Sequence, residues 1–175
     1  MIPVRIEPAF WLLAALIGWL NSSSLPLTIL WIMMIFISVL AHEYGHAITA
    51  LFFGQKSRIT LTLFGGVTTR AGKKLSSVKE FLIVLNGPMA GFALYGLCVA
   101  LLQSPLKQNE TIAYFLTVGT WTNLFWTILN LVPIQPLDGG HLLMILCRSL
   151  FGPAGVKAAY LLSLIASIVL GVLFF

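Results

Sequence analysis

The chain has 175 residues, of which 59% are hydrophobic and 9% are charged, whereas soluble domains average about 45–50% apolar and about 25% charged residues. Together with a mean hydropathy of +0.99, this composition excludes a soluble globular protein, a disordered tail and a nucleic-acid-binding module. The net charge is +5, and most of the basic residues lie between residues 54 and 80, which is typical of a cytoplasmic loop between membrane segments. We therefore expect an integral membrane protein with membrane lipid around it and no nucleic-acid partner.

Apolar segments long enough to cross a bilayer recur along the chain. A short first segment follows Arg5 and is either a first helix or a signal peptide, and a further short one at 138–151 follows Pro133 and Pro136. We predict this short segment to be the second half of a broken helix. The prediction is an all-α polytopic membrane protein with about five to six transmembrane helices in a single domain over 1–175, its main segments being 9–20, 27–53, 81–102, 112–132 and 155–175.

The second apolar segment contains the sequence His-Glu-Tyr-Gly-His at 42–46. Residues four apart lie on one face of a helix, so His42 and His46 can reach one metal ion while Glu43 projects beside it. The alternative is a pair of core histidines that hydrogen-bond across helices, but charged or polar groups at membrane depth are costly and rarely cluster without a function. This segment therefore predicts a metal site within the membrane.

Catalytic zinc usually has three protein ligands and an open fourth position, so one ligand is missing from the pair of histidines. Asp138 is the main candidate, and His141, Glu80 and Glu110 are less suitable alternatives. Two prolines and two glycines around Asp138 are expected to interrupt the helix and free its backbone. Such a break at membrane depth is tolerated where it lines a watery cavity, which is where hydrolysis would need to take place.

Polar residues follow the fourth segment at spacings of three and four, which places them on one helix face. This face is expected to line the same cavity, although threonines in helices often donate to carbonyls of their own helix. Asn130 is the strongest candidate because it lies next to the break; the full set is Thr120, Asn123, Thr127 and Asn130.

Between the second and third apolar segments, residues 57–63 alternate polar and apolar side chains, and Gly65-Gly66 interrupts the pattern before residues 67–69. This pattern predicts a short β-hairpin or β-loop directly after the HExxH helix. A free strand edge there could pair with an extended peptide. The alternative is a loop that only connects two helices.

These motifs resemble, in their order and spacing, the site-2 protease family of intramembrane zinc metalloproteases. The resemblance rests on the HEYGH sequence, Phe64-Gly65-Gly66, Gly87-Pro88 and the sequence NLVPIQPLDGG at 130–140. It points to the compact bacterial, sporulation-protease-like branch of the family, which lacks PDZ and CBS domains.

Carried over residue by residue, the resemblance implies that His42, His46 and Asp138 bind one zinc ion (Zn2+) per chain. It implies that Glu43 is the catalytic acid and base. It also implies that substrate is held by Asn130 and by the loop residues Phe64, Gly65 and Gly66.

One position departs from the family pattern. The family often has Asn four residues after the Gly of its Gly-Pro motif, whereas this chain has Gly91. Any packing or substrate contact of that Asn is therefore not expected in this chain.

We therefore expect an enzyme, a zinc metalloendopeptidase that cuts transmembrane or membrane-associated proteins near their cytoplasmic side in regulated intramembrane proteolysis. The expected location is the bacterial inner membrane, with the N-terminus and the basic loop 54–80 in the cytoplasm. The alternatives are a proteolytically inactive membrane scaffold and a metal transporter. The sequence gives no indication of the oligomeric state.

Overall fold

The computed structural model describes the backbone of residues 1–174 and the side chains of residues 1–172, so that Phe175, at the end of the last predicted segment, lies outside it. The described chain begins with a short strand, continues through two helices into a β-hairpin, and ends with three long helices. In chain order the elements are β1 Val4–Ile6, α1 Pro8–Leu20, α2 Leu25–Phe52, β2 Lys56–Thr62, β3 Gly65–Ala71, α3 Ser77–Leu102, α4 Glu110–Leu131 and α5 Asp138–Phe174.

Four of the described helices, α2, α3, α4 and α5, are long and apolar enough to cross a membrane, and α1 is a shorter apolar helix. Large hydrophobic side chains cover the outer surface of these helices, for example Leu12, Ile29, Phe125 and Leu164. An aqueous surface does not carry such a continuous apolar area, and the chain is an integral membrane protein. The predicted helical membrane fold is confirmed.

The longest helix, α5, is divided at Gly152, whose backbone angles are φ 59° and ψ −138°. Glycine adopts this left-handed conformation without a steric penalty, and Pro153 then begins the next helical turn. The predicted short segment 138–151 is therefore a helical segment that the loop 132–137 separates from α4, in agreement with the predicted break. The five described α-helices thus form six helical segments.

Helix α2 is the centre of the fold. On one side its residues Ile35 and Val39 pack with Phe10 of α1 and with Ile59 and Leu61 of β2. On the other side Met34 packs with the buried side chains of α3 and α4, namely Cys98, Leu116 and Val118. Because neighbours enclose it on both sides, α2 can hold polar residues away from lipid.

The predicted hairpin is present as the antiparallel strands β2 and β3, with Thr60 opposite Val67. Side chains of β2 alternate between exposed and buried, and the buried ones face α2. The strand β1, which the sequence analysis did not predict, pairs in parallel with β2. The sheet order is β1-β2-β3, so β3 is an edge strand.

Candidate active site

Three potential metal ligands from distant parts of the sequence meet in the centre of the protein. Helix α2 supplies His42 and His46, and Asp138 is the first residue of α5. The Oδ2 atom of Asp138 lies 2.9 Å from Nε2 of His42 and 3.3 Å from Nε2 of His46, and the two Nε2 atoms are 3.2 Å apart. The structure thus brings together the three residues that the sequence analysis named.

This triangle has the dimensions of a zinc site. Zinc bonds of about 2.0–2.2 Å at tetrahedral angles place the ligand atoms roughly 3.3 Å from one another. The Oδ2 atom of Asp138 is buried and makes no hydrogen bond of suitable geometry with the described residues. Its near neighbours are the two Nε2 atoms, as expected of an oxygen that shares a metal ion with them. The nitrogen and oxygen donor set also suits zinc, so these residues fit the ion that the sequence predicts.

A backbone carbonyl fixes the orientation of His46. The Nδ1 atom of His46 lies 2.9 Å from the Ile83 carbonyl oxygen on α3, and because a carbonyl only accepts, Nδ1–H is the donor. The proton on Nδ1 leaves the lone pair of Nε2 free for the metal. Metal-binding histidines are commonly oriented by such a contact.

Helix α3 approaches the imidazole of His46 at Gly87. A Cβ atom at this position would overlap the Nε2, Cε1 and Cδ2 atoms of the His46 ring. In the sequence Gly87 stands out only as part of a family motif, with no predicted role at the site. Its role is steric, because only glycine lets the α3 backbone lie against the imidazole ring of His46.

Replacing Gly87 with alanine is expected to weaken zinc binding at least tenfold, since displacement of a ligand's supporting groups typically costs about 10–100-fold in metal affinity. Competition with a chromophoric zinc chelator in detergent measures the affinity. The control is Gly96→Ala in the same helix, where the added Cβ has no neighbour within 4 Å. Equal zinc affinities of the two variants would contradict the steric role.

Glu43 lies beside the ligands, and β3 holds its carboxylate. The hydroxyl of Thr68 donates to Oε2 of Glu43 at 2.7 Å. A Cβ atom at Gly66 would overlap the Glu43 side chain, so this glycine gives the carboxylate its space. Sequence reasoning missed Thr68, because four threonines occur in the hairpin and only the strand register shows which of them reaches Glu43.

The chain between α4 and α5, residues 132–137, is non-helical as predicted, but the glycines after it do not break the helix. Gly139 and Gly140 are buried in the first turn of α5. A Cβ atom at either would overlap the backbone at 131–132 or 134–135. The prediction that these glycines interrupt the helix is wrong, because they allow α5 to start against the preceding loop, which positions Asp138.

The alternative ligands lie elsewhere. Glu80 accepts a hydrogen bond from Arg148 on α5 at 2.5 Å. His141 borders the site, but its Nδ1 faces the Leu137 carbonyl of its own helix turn at 3.3 Å. Glu110 is exposed in the first turn of α4. Among the described residues, His42, His46 and Asp138 are the group that could hold a metal ion.

The residues predicted to hold substrate occupy different places. Asn130 borders the site and donates from Nδ2 to the Trp126 carbonyl. Gly66 lies against Glu43, and Gly65 lies against the Trp126 ring. Phe64 is at the tip of the hairpin and is 85% exposed, whereas Glu43 contacts Thr68 and Gly66 on β3. Their roles in substrate binding stay predictions.

The polar face of α4 lines the cavity only at Asn130. Thr120 and Asn123 donate to the Leu116 and Gly119 carbonyls of their own helix. Thr127 is buried at Gly91 of α3, where a Cβ atom would overlap its hydroxyl. The expectation of a polar stripe along the cavity is therefore wrong for these three residues. Carbonyls of α4 accept from Thr120 and Asn123, whereas the Thr127 hydroxyl is buried without a hydrogen-bond partner among the described residues.

The ligands open into a cavity of about 320 Å³. It is bordered by the HExxH turn of α2, by β3, by the start of α5 and by one side of α3. Besides the ligands and Glu43, its lining includes Gly66, Val67, Thr68, Arg70, Ile83, Val84, Asn130, Pro136 and His141.

The chain resembles a known protein family over most of its length. Residues 30–107 and 98–173 match Peptidase family M50. The chain belongs to peptidase family M50. The predicted membership of the site-2 protease family is thereby confirmed.

Two curated relatives share about a third of their aligned residues with this chain. Stage IV sporulation protein FB of Bacillus subtilis is 33% identical over 150 residues, covering 83% of this chain and 48% of that protein. The putative zinc metalloprotease Rip3 of Mycobacterium tuberculosis is 35% identical over 127 residues, covering 67% of this chain and 32% of that protein. The chain thus spans half or less of the length of these relatives.

The fold also matches a solved structure. The site-2 protease from Methanocaldococcus jannaschii superimposes with a TM-score of 0.65 over 90% of this chain and 73% of that chain. At 24% sequence identity, this likeness concerns the fold.

Proposed function

We propose that the chain is an intramembrane zinc metalloprotease that hydrolyses peptide bonds of transmembrane or membrane-associated proteins. The observation that carries the proposal is the meeting of His42, His46 and Asp138 beside the carboxylate of Glu43, inside a bundle of membrane-spanning helices. The names of the relatives, which include zinc metalloproteases, support the choice of zinc.

His42, His46 and Asp138 would hold one zinc ion, and Glu43 would act as the catalytic base and acid. When bound, zinc would act as a Lewis acid that polarises the scissile carbonyl and acidifies a water molecule. Glu43 would accept the proton of that water and later donate a proton to the leaving amine. Thr68 would keep the carboxylate aimed at the water by its hydrogen bond to Oε2.

Strand β3 would hold the substrate. It is an edge strand and its residues Gly66, Val67 and Thr68 border the cavity. An extended peptide that pairs with this edge would present its carbonyl groups to the site. A helical substrate must unwind first, because its carbonyls are engaged in the helix. Asn130 and the Phe64–Gly66 turn would contact the same peptide.

The cleaved bond would lie near the cytoplasmic surface of the inner membrane. The hairpin side carries the basic residues Lys56, Arg58, Lys73 and Lys74, a charge bias typical of cytoplasmic segments. Fewer than two helical turns separate His46 from the end of α2 at Phe52, or roughly 9 Å at 1.5 Å per residue. This depth supports a cut near the cytoplasmic surface, as a protease of regulated intramembrane proteolysis would make.

The test uses the purified chain in proteoliposomes with a panel of single-span membrane proteins. We expect about one zinc per chain and one cut per substrate, which mass spectrometry would locate near the cytoplasmic end of the span. Bound zinc without cleavage would favour an inactive scaffold, and zinc flux across the vesicle membrane would favour a metal transporter. Absence of zinc would exclude the proposed site.

Replacing Thr68 with valine is expected to lower kcat about 10–100-fold, the usual effect of losing a group that orients an active-site residue. Zinc content should not change, because Thr68 contacts Glu43 rather than a ligand. Thr68→Ser restores the hydroxyl and should recover most of the rate. Thr69→Val is the matched control, since the exposed Thr69 hydroxyl donates to the Arg58 carbonyl. Equal rates for the two valine variants would contradict this role.

A further inference from the structure

Among the residues that the structure describes, Arg70 is the one arginine or lysine that borders the cavity, and it lies on the hairpin side. Arg70 lies two residues after Thr68 on β3. It pairs in register with Ser57, whose buried hydroxyl donates to the Ala47 carbonyl of α2. Directly opposite residues of an antiparallel pair share a face, so Arg70 and Thr68 both lie on the face of the sheet that is turned toward α2.

The charge of Arg70 is not neutralised within the described part of the chain. Its guanidinium donates a hydrogen bond to Oε1 of the neutral Gln55 amide at 3.4 Å. Gln55 in turn donates to the Lys73 carbonyl, which ties it to the end of the hairpin. Arg70 takes part in none of the ion pairs of the described residues. The guanidinium is therefore positioned but still available to a carboxylate.

The spacing of Arg70 from Thr68 on β3 places Arg70 close to the bond that would be cut. Two residues of a strand span about 6.6 Å, and Thr68 contacts the catalytic Glu43. A peptide paired with the open edge of β3 would place one residue opposite Thr68, and the residue two positions away would lie opposite Arg70. Side chains of opposite residues have Cβ atoms about 4.5–5.5 Å apart, within reach of an ion pair.

We propose that Arg70 is a specificity-determining residue, which selects substrates with an acidic side chain close to the scissile bond on its cytoplasmic side and disfavours substrates with a basic one there. This inference rests on the proposed function and on the proposed orientation of the chain, with the hairpin on the cytoplasmic side of the membrane. Lys and Arg are the residues that most transmembrane segments carry at their cytoplasmic ends, and Arg70 repels them. A repulsive contact of this kind rejects wrong partners, so most membrane proteins would be poor substrates.

The test measures both binding and cleavage of one reporter. The reporter has a single span, and Glu, Gln or Lys is placed at each of the three residues on the cytoplasmic side of the cut. Binding is measured with Glu43→Gln chains, which leave the reporter intact, and cleavage with otherwise wild-type chains. Vesicles of neutral phosphatidylcholine keep lipid charge from contributing.

At one reporter position we expect Glu to be preferred over Lys on the order of tenfold, because an attraction is replaced by a repulsion at an exposed site. Arg70→Lys should keep this preference, Arg70→Gln should remove it, and Arg70→Glu should invert it. Raising the salt from about 0.1 M to about 1 M should reduce it, because the Debye length falls to about 3 Å.

Arg58→Glu is the matched control. It makes the same charge change on the neighbouring strand, but Arg58 pairs with Thr69 on the opposite face of the sheet, so the Glu preference should persist. Equal Glu-to-Lys ratios in the wild-type and Arg70→Glu chains at all three positions would overturn the inference. Lack of cleavage by the wild-type chain would overturn the proposed function instead, and the binding ratios would still decide the role of Arg70.

Discussion

Replacing Glu43 with glutamine is expected to abolish peptide cleavage while the chain keeps about one zinc ion. Proton transfer by a positioned side chain contributes about 10²–10⁴-fold to the rate, and a glutamine amide cannot accept a proton at neutral pH. Glu43 lies beside the three proposed ligands but is not one of the residues that could hold the metal ion. Zinc affinity should therefore not depend on Glu43. The amide oxygen of glutamine can still accept from Thr68, and the variant should fold normally.

Two measurements on the same preparation check this result: zinc content by mass spectrometry and the initial rate of reporter cleavage. Glu80→Gln makes the same chemical change at an acid that pairs with Arg148, and it should keep its activity. A Glu43→Gln chain that loses its zinc would mean that Glu43 is a ligand. A chain that keeps zinc and cuts within tenfold of the wild-type rate would exclude Glu43 as the acid and base.

Features that depend on local sequence could be predicted. The apolar runs set the helix positions to within a few residues, and the spacing of His42 and His46 places both on one face of α2. The alternation at 57–63 predicted the hairpin, because one face of β2 is buried against α2. The short strand β1 was missed because three residues are too few to show a period.

Contacts between residues far apart in the sequence could not be predicted, although some of the residues that make them could be listed as candidates. Asp138 was one of four candidate ligands, and only the start of α5 against the loop 132–137 brings its Oδ2 to the histidines. Thr68 and Gly87 were not recognised as parts of the site. Both act through the packing of another element on α2, and no local pattern distinguishes them from other threonines and glycines.

Replacing Asp138 with asparagine is expected to lower zinc affinity at least a hundredfold and to remove activity with it. The substitution exchanges an anionic oxygen ligand for a neutral amide, whereas removal of a group outside the ligand set costs only about 10–100-fold. Asparagine is nearly isosteric with aspartate, and both residues are favoured where helices begin. The start of α5 should therefore stay intact, so that loss of zinc reports on ligation rather than on unfolding.

His141→Asn is the control, since His141 lies in the same cavity but outside the group of three ligands. Dialysis against a chelator, followed by measurement of zinc per chain, would distinguish the two variants. We expect the control to keep its zinc and the Asp138→Asn chain to lose it. The opposite pattern would make His141 the third ligand, which would require the first turn of α5 to rotate, because the His141 Nδ1 now faces the Leu137 carbonyl. The start of α5 therefore decides which residue completes the metal site.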